Sequence, residues 1–395
     1  MKVVQINSVS GRGSTGKICV AVSKLLTERG IENYILHSTD GNTYPLGIQY
    51  MSSLEVKFEA LKAKVFGSYG FQAKRATKRL IQKIEEISPD IIHIHNIHGH
   101  NVNLEMFFSY LRGKKVKVFW TFHDCWSFTS YCVYSDLVDC NKWMTGCEKC
   151  PQRCKYSWFF DRSKWLYKKK REIFTGLDMT IITPSEWLAR AVKKSFLSDC
   201  RVEVINNGID LEVFRPRESN FRERYCIGAD KKILLGVANK WEVRKGLDIF
   251  LRLAETLDPE KYQIVLVGTN SAIDRNLPKN IISIHRTANQ QELAEIYSAA
   301  DLFVNPTRED NFPTVNLEAL ACGIPVVTFD TGGSPECLVS GCGCKVKCGD
   351  FDALYSVIIG NTEEKFSFDA CLARGATFNQ HAAFKRYVDL YQSHE

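Results

Sequence analysis

The chain has 395 residues, enough for two domains, and its 45% hydrophobic and 25% charged residues are typical of a globular protein. It contains no run of eighteen apolar residues, so the sequence predicts no membrane-spanning helix. The net charge is +7 and the amino terminus turns polar too early for a signal peptide, so we expect a cytoplasmic protein whose fifteen cysteines are thiols or metal ligands rather than disulfides.

A glycine-rich turn follows the first predicted strand, at residues 1–7, and leads into a helix that runs through Leu26. Its sequence, Gly11, four residues, then Gly16-Lys17, is close to the phosphate-binding loop of nucleotide triphosphatases. Ile18 stands where that loop has a Ser or Thr that binds Mg²⁺. The turn therefore predicts contact with a phosphate group, and a P-loop phosphotransferase or a plain tight turn stays open as an alternative.

Histidines cluster in the next part of the chain. A predicted helix at 74–87 leads to a strand at 91–95 that carries His93 and His95 on one face, and His98 and His100 follow in a loop. Four histidines this close could bind a metal, although alternate histidines on a buried strand are more often core groups. The strand at 116–122 then ends at His123-Asp124.

A cysteine-rich segment comes next, at about residues 125–154. Cys132, Cys140, Cys147 and Cys150 end in a pair separated by two residues, which is typical of a tetrahedral Zn²⁺ site of the structural kind. Cys125 and Cys154 are possible substitutes, and incidental free cysteines are the alternative.

A basic, aromatic stretch occupies residues 155–174. Its rings and its lysines predict an interfacial helix that could contact an anionic membrane surface, with a solvated basic face as the alternative. The basic residues and the cysteines together also allow a zinc-containing nucleic-acid-binding protein.

The second half begins a new series of alternating strands and helices. Strands are predicted at 232–238, 263–268 and 281–284, and a turn after the first carries Lys240, Arg244 and Lys245 before Gly246. Arg286 follows the third strand. Alternation of this kind predicts a doubly wound parallel sheet in each half.

The stretch at 299–336 carries the most specific signal. A strand at 302–304 ends in a polar loop, a helix begins at Pro313-Thr314, and a strand follows at 326–329. Asp310 and Glu318 are eight positions apart, and Thr314 shares a helix face with Glu318. The helix amino terminus suits a diphosphate, and Glu318 one turn deeper could bind a ribose. A plain helix with an acidic loop before it is the alternative.

This stretch resembles the nucleotide-sugar site of retaining glycosyltransferases with the GT-B architecture, family four. Their signature is Glu, seven residues, Glu, then Ala-x-Ala-x-Gly-x-Pro-Val. Here Asp310 and Glu318 hold the two acidic positions, and residues 319–326 supply the rest. The chain departs from the pattern in having Asp for the first Glu and Pro313 where a Gly is common.

The resemblance covers almost the whole chain and implies an α/β protein with two Rossmann-like domains that face a central cleft. It implies an N-terminal acceptor-side domain at 1–206 with the cysteine-rich insert, a nucleotide-sugar-binding domain at 207–375, and a C-terminal helix at 376–395 that packs back on the first domain. It implies a retaining transferase that needs no catalytic metal, so Zn²⁺ would be structural only.

The resemblance also assigns roles. The residues expected at the reaction centre are His123, Lys245 and Asp310. The residues expected to bind the donor are Gly13, Gly16, Lys17, Lys240, Arg244, Arg286, Asn311, Phe312, Thr314, Val315 and Glu318. The expected partners are a nucleotide-diphosphate sugar and a growing, lipid-linked surface glycan such as lipopolysaccharide, at the cytoplasmic face of a membrane, and no nucleic acid.

Overall fold

The computed structural model describes residues 1–39, 44–360 and 365–393. Contacts divide the chain into two compact units: Met1–Asn206 with Ala383–Glu395, here unit 1, and Asn207–Ala382, here unit 2. The sequence predicts limits after residues 206 and 375, and the contacts change unit after Asn206 and after Ala382. His394 and Glu395, which end the predicted C-terminal segment, lie outside the described residues.

The described part of unit 1 contains a seven-stranded parallel sheet. Its strands are β1 (Lys2–Asn7), β2 (Glu32–His37), β3 (Gly47–Gln49), β4 (Ile91–Ile94), β5 (Lys117–Thr121), β6 (Thr180–Thr183) and β7 (Arg201–Val204). They lie in the order β3-β2-β1-β4-β5-β6-β7. Every residue of β4 is buried, because strands of a parallel sheet covered by helices are apolar on both faces.

Helices connect these strands. They are α1 (Gly13–Glu28), α2 (Ser53–Phe66), α3 (Lys74–Ile87), α4 (Leu104–Arg112), α5 (Arg153–Tyr156), α6 (Ser163–Phe174) and α7 (Glu186–Lys194). Local signals fix their limits: Ser52 and Glu55 form a reciprocal capping box at the start of α2, and the Ser185 hydroxyl accepts a hydrogen bond from Leu188 N–H at the start of α7.

The described part of unit 2 contains a six-stranded parallel sheet of the order β10-β9-β8-β11-β12-β13. Its strands are β8 (Lys232–Val237), β9 (Tyr262–Val267), β10 (Ile281–Ile284), β11 (Leu302–Asn305), β12 (Val326–Asp330) and β13 (Gly343–Lys347). Its helices are α8 (Phe221–Arg224), α9 (Leu247–Thr256), α10 (Ser271–Asp274), α11 (Gln290–Ala299), α12 (Thr314–Ala321), α13 (Phe351–Ile358) and α14 (Phe368–Ala376). Separate apolar clusters cover the two faces of the sheet.

The last helix, α15 (Gln380–Gln392), belongs to unit 1 from Ala383 onward. Its apolar residues Phe384, Tyr387, Val388 and Tyr391 are buried in one cluster with side chains of β1, α1 and β5. The Tyr391 hydroxyl also contacts the imidazole of His93 on β4. The helix α15 therefore contributes to the core of unit 1.

The prediction of two doubly wound parallel sheets is confirmed, since both sheets reverse their strand order after β1 or β8 in the Rossmann manner. The sequence missed β2, β3 and β13. The last two are edge strands with a partly exposed surface, so they lack the continuous apolar run that marked the central strands.

The prediction of one interfacial helix at 155–174 is wrong. The stretch is divided between α5 and α6 by a non-helical segment at residues 157–162, and α6 buries Leu166, Tyr167, Lys170 and Phe174 against the core. The apolar side of α6 therefore faces the protein, and the exposed rings, apart from Trp165 of α6, lie in the segment that precedes it.

Within residues 1–39, 44–360 and 365–393, none of the helices is long and apolar enough to cross a bilayer.

Candidate functional site

The candidate site of unit 2 lies where the strand order reverses. The strands β8 and β11 are neighbours, and the connections after them leave the sheet on opposite sides, which is the position where doubly wound sheets bind ligands. The turn after β8 and the loop after β11 pack closely here. A Cβ at Gly246, whose φ is +75°, would overlap Pro306, so only glycine fits this contact.

Lys245 and Asp310 form an ion pair at this position. Their side chains are only 18% and 15% exposed, although the residues are 65 positions apart in sequence. The other carboxylate oxygen of Asp310 accepts a hydrogen bond from the Asn311 N–H at 3.0 Å. Two residues that lie in separate turns of unit 2 are thus in direct contact.

A network of arginines holds the loop that carries Asp310. The Arg244 guanidinium donates to the Glu309 carbonyl at 2.8 Å, and the Arg308 N–H donates to the Arg244 carbonyl at 2.8 Å. The Arg308 guanidinium bonds both carboxylate oxygens of Asp248, at 2.7 and 2.8 Å. Burial raises the pKa of Asp248, but the hydrogen bonds and charge of Arg308 outweigh it, and the net shift is downward.

Lys240 and Arg244, the two residues predicted to bind the donor beside Lys245, differ in their surroundings. Arg244 is fixed to the loop as described, whereas Lys240 is 74% exposed and pairs with Glu242. Lys240 is therefore the more exposed charge, and Arg244 is the one hydrogen-bonded to the residue next to Asp310.

Gly332 supports the same loop from the connection after β12. Its φ is +56°, and a Cβ there would overlap the carbonyl oxygen of Asp310. The neighbouring Gly333 N–H donates to that carbonyl at 3.2 Å. The backbone position of Asp310 thus depends on a glycine.

The helix α12 begins at Thr314, one residue later than predicted, because Pro313 has an extended ψ of 119° and precedes the first turn. The first N–H groups of any helix lack partners within the helix and carry partial positive charge. Buried amides fix this end: Asn305 donates to Asn316 at 2.7 Å, and Asn316 donates to the Ser334 carbonyl at 3.0 Å.

Glu318 lies one turn into α12 and is half-buried. The Tyr297 hydroxyl lies 3.2 Å from its carboxylate and 3.3 Å from the Val315 carbonyl. Burial and the charge of Glu318 raise the pKa of Tyr297 well above its usual value, so the hydroxyl is a hydrogen-bond donor at neutral pH. Sequence reasoning did not find this tyrosine, which is 21 positions away from Glu318.

The remaining predicted donor residues are distributed unevenly. Thr314 and Val315 form the first turn of α12, and Asn311 is buried in the loop before it. The Phe312 ring is buried against Phe378. Arg286 is exposed after β10, two strands away from β8 in the sheet.

The predicted residues of unit 1 follow the ends of β1 and β5. Gly13 begins α1 with φ +62°, Gly16 is buried in its first turn, and Lys17 is exposed. A Cβ at Gly16 would lie 3.1 Å from Val9 and from the Gly11 nitrogen, so the glycine allows the turn to pack on the helix.

His123 belongs to a row of histidines in unit 1. Its Nε2 lies 3.3 Å from Nδ1 of His95, whose Nε2 lies 3.2 Å from the Gln5 side chain. His93 contacts Thr121 at 2.8 Å. Burial lowers the pKa of His93 to about 3 and of His123 to about 4, so both are neutral imidazoles at pH 7. His93 and His95 are buried, hydrogen-bonded groups of the core, whereas His123 is only partly buried.

Asp124, beside His123, accepts a hydrogen bond from the Trp126 N–H and contacts His98, both at 2.9 Å. Burial raises its pKa, but His98 and the Trp126 N–H outweigh that effect, and the net shift is downward. His123 is thus flanked by a carboxylate on one side and by a neutral imidazole on the other.

Cys132, Cys140, Cys147 and Cys150 line one small cavity of unit 1, together with Trp143. All four are free thiols. Across the described ranges, no group of three or more His, Cys, Asp or Glu side chains is already positioned to hold a metal ion. The structure therefore brings the four predicted ligands together, and the zinc site stays a prediction.

Lys170 is a buried lysine that the sequence placed in the predicted interfacial helix, with a solvated basic face as the alternative. It is 0% exposed, and its ammonium donates to the carbonyls of Trp126 and Thr129 at 2.7 and 3.1 Å. It also lies 3.5 Å from the Trp126 ring centre. The lysine fastens α6 to the start of the cysteine-rich segment, and no sequence pattern distinguishes it from its exposed neighbours.

Comparison with protein families gives two matches. The model described as "Glycosyltransferase Family 4" matches residues 16–213, about half of the chain, and the model described as "Glycosyl transferases group 1" matches residues 231–361.

Similar individual proteins cover the full length. The "Putative colanic acid biosynthesis glycosyl transferase WcaC" of Escherichia coli strain K12 is 23% identical over 430 residues, covering 100% of both chains. Sucrose-phosphate synthase from Thermosynechococcus elongatus has a TM-score of 0.72 at 17% identity, covering 100% of this chain and 98% of that one. Anabaena Alr3699/HepE, solved with UDP-glucose, has a TM-score of 0.68 at 15% identity, covering 100% of both chains.

Proposed function

The chain belongs to glycosyltransferase family 4 and has the GT-B fold, and we propose that it transfers a sugar, with retention of configuration, from a nucleotide-diphosphate donor to a hydroxyl of a growing glycan. The observation that carries this proposal is the Lys245–Asp310 pair beside the amino end of α12, with Glu318 one turn deeper. UDP-glucose in the complex of Alr3699/HepE supports a nucleotide-sugar donor.

Departure of the nucleoside diphosphate develops negative charge on phosphate. Lys245, the first N–H groups of α12, and Arg244 or Lys240 would stabilise that charge by fixed interactions, with no divalent ion required. A lysine neutralises phosphate but lacks the two-pronged geometry of an arginine. This assignment makes Lys245 the residue whose loss most affects the rate.

Asp310 and Glu318 have separate tasks in this proposal. The Asp310 carboxylate would bind sugar hydroxyls while Lys245 is shared with the incoming phosphate. Glu318, held by the Tyr297 hydroxyl, would accept hydrogen bonds from the ribose diol. Asp310 is one methylene shorter than the usual glutamate. Its carboxylate would therefore reach the sugar only because the close contact with Gly332 fixes the position of its backbone.

Retention implies attack on the face from which the phosphate leaves. The bond from the anomeric carbon to the phosphate oxygen breaks, a bond to the acceptor oxygen forms, and the acceptor proton passes to the leaving phosphate. His123, neutral at pH 7, would orient hydroxyls by hydrogen bonding rather than act as a strong base. Gly13, Gly16 and Lys17 would contribute to phosphate contact from the turn after β1.

The acceptor in this proposal is a lipid-linked surface glycan, made at the cytoplasmic face of a membrane. The name of the WcaC relative, which refers to colanic acid biosynthesis, supports a polysaccharide product. A P-loop phosphotransferase is disfavoured because Ile18 is buried in α1 and offers no oxygen for Mg²⁺.

The experiment is a thermal-shift screen of nucleotide-diphosphate sugars, with and without EDTA, and with ATP and Mg²⁺ for comparison. We expect one nucleotide sugar to raise the melting temperature in EDTA, because a ligand that binds only the folded state stabilises it. A shift with ATP and Mg²⁺ alone, and with none of the sugars, would contradict the proposal.

We also propose that Cys132, Cys140, Cys147 and Cys150 bind one structural Zn²⁺. Metal analysis of the purified chain should find about one zinc per molecule, and Cys147→Ser should lower that content, while Cys226→Ser, an exposed cysteine of unit 2, should not. Equal zinc content in both variants, or none in the parent chain, would refute the site.

A further inference from the structure

The helix α2 presents its apolar side outward. In α2, all of whose residues are described, Ala63 alone is buried, whereas Leu54 is 77% exposed and Phe58 58%. Leu61, also exposed, lies on the same face, since residues follow each other at about 100° around a helix, and Ala63 lies on the opposite face. A surface helix of a globular protein normally has the reverse arrangement.

Exposed rings of the segment before α6 continue this face. The Trp158 N–H donates to the carbonyl of Lys64, in the last turn of α2, at 2.8 Å. Phe159 is 64% exposed, and its ring centre lies 6.4 Å from those of both Trp158 and Phe160. The apolar patch, as named here, consists of Leu54, Phe58, Leu61, Phe66, Trp158, Phe159 and Phe160.

Cations border the apolar patch. The Lys62 ammonium lies 4.5 Å from the Phe58 ring centre, and that of Lys64 lies 5.9 Å from the Trp158 ring centre. By helical position, Lys57 and Lys64 flank one side of the exposed face and Lys62 the other. The Arg162 guanidinium lies 5.8 Å from the Phe160 ring centre, so the bordering cations are Lys57, Lys62, Lys64 and Arg162.

The acids of the same two segments are engaged. Glu55 pairs with Arg79 at 2.6 Å, Glu59 pairs with Lys62 at 2.9 Å, and Asp161 accepts two backbone N–H groups at 2.9 Å. Five cations and three acids in residues 52–66 and 157–165 leave a net charge of +2. Lys62 pairs with Glu59 and Lys164 with Glu148, so the excess positive charge around the apolar patch belongs to Lys57, Lys64 and Arg162.

We propose that the apolar patch docks this chain on the surface of an anionic lipid bilayer. Apolar rings would enter the headgroup region while the bordering lysines meet lipid phosphates, a combination that is typical of interfacial binding. A symmetric contact with a second copy is disfavoured, because it would place the same cationic rim against itself.

This surface lies outside the residues proposed for sugar transfer. Binding to vesicles is measured without donor or acceptor. A negative result in that assay would therefore not contradict the proposed sugar transfer, and a lack of sugar transfer would not contradict the proposed membrane docking.

The test is cosedimentation of the full chain with vesicles of phosphatidylcholine alone or mixed with anionic phosphatidylglycerol. Wild type and the control Val339→Ser, an exposed apolar residue of unit 2, should bind the anionic vesicles. Phe58→Ser/Phe159→Ser should weaken binding about tenfold or more. Lys57→Gln/Lys64→Gln should weaken it about fivefold per lysine and reduce its dependence on salt.

Circular dichroism and the melting temperature check that the variants fold, which is expected because all four side chains are exposed. Failure of wild type to sediment with anionic vesicles would overturn the proposal, as would equal binding by the phenylalanine double variant. A dimer in solution that this variant abolishes, without any vesicle binding, would identify a second copy as the occupant and likewise overturn it.

Discussion

Lys245 and Asp310 are the residues on which the proposed chemistry depends. The motif identifies both as candidates, but it cannot reveal their ion pair, because they are 65 positions apart and meet only through the packing of two loops. Tyr297, Arg308 and Lys170 were missed for the same reason. Their partners lie on other elements, and their residue types are common on ordinary surfaces.

The pair gives a prediction that separates stability from activity. Lys245→Met should slow transfer about a hundredfold or more by removing charge stabilisation of the leaving phosphate. It should also cost about 2 kcal/mol of unfolding free energy, because it leaves a largely buried carboxylate without its cation. Lys245→Met/Asp310→Asn should recover stability but not activity, as seen from urea midpoints and initial rates.

Lys279→Met, at an exposed lysine of unit 2, is the matched control and should change neither quantity. If Lys245→Met transferred sugar at a rate within about threefold of the wild-type rate, Lys245 would not be part of the site.

At the scale of elements, the sequence predicted the central strands and the helix α12, since continuous apolar runs bounded by Gly and Pro are strong signals. It did not predict that Pro313 precedes the helix rather than begins it, because both positions accept its φ of −69°. The sequence also predicted one helix in place of α5 and α6, because the numbers of charged and aromatic residues do not show which side of a helix is buried.

A substitution at Gly332 tests whether close backbone contact holds the loop that carries Asp310. Gly332→Ala should destabilise the protein and slow transfer, because a Cβ would push the Asp310 carbonyl away. Gly349→Ala is the matched control: its φ of +82° is also left-handed, but nothing lies within 4 Å of its Cβ. The control should cost only about 1 kcal/mol, measured from the urea midpoint, with normal activity.

If the two alanine variants lose equal stability and keep equal rates, then the contact at Gly332 does not position Asp310.

At the scale of the whole molecule, alternation of strands and helices predicted two parallel sheets, and the structure confirms them. The order of the strands in each sheet could not be predicted from the hydrophobic pattern, because the order depends on which crossover connections pack against the sheet. Those orders explain the site nonetheless: the reversal beside β8 and β11 brings the turn with Lys245 and the loop with Asp310 to the same edge of the sheet.

Donor binding by three chains in the thermal-shift assay tests the placement of the nucleotide sugar at α12. These are wild type, Glu318→Ala and the control Glu255→Ala, an exposed residue of α9. Tyr297 keeps the Val315 carbonyl as a partner in Glu318→Ala, so this variant should fold. The nucleotide sugar should stabilise wild type and the control alike, and Glu318→Ala should need about tenfold or more donor for the same shift. Equal stabilisation of all three chains would contradict the placement of the donor at α12.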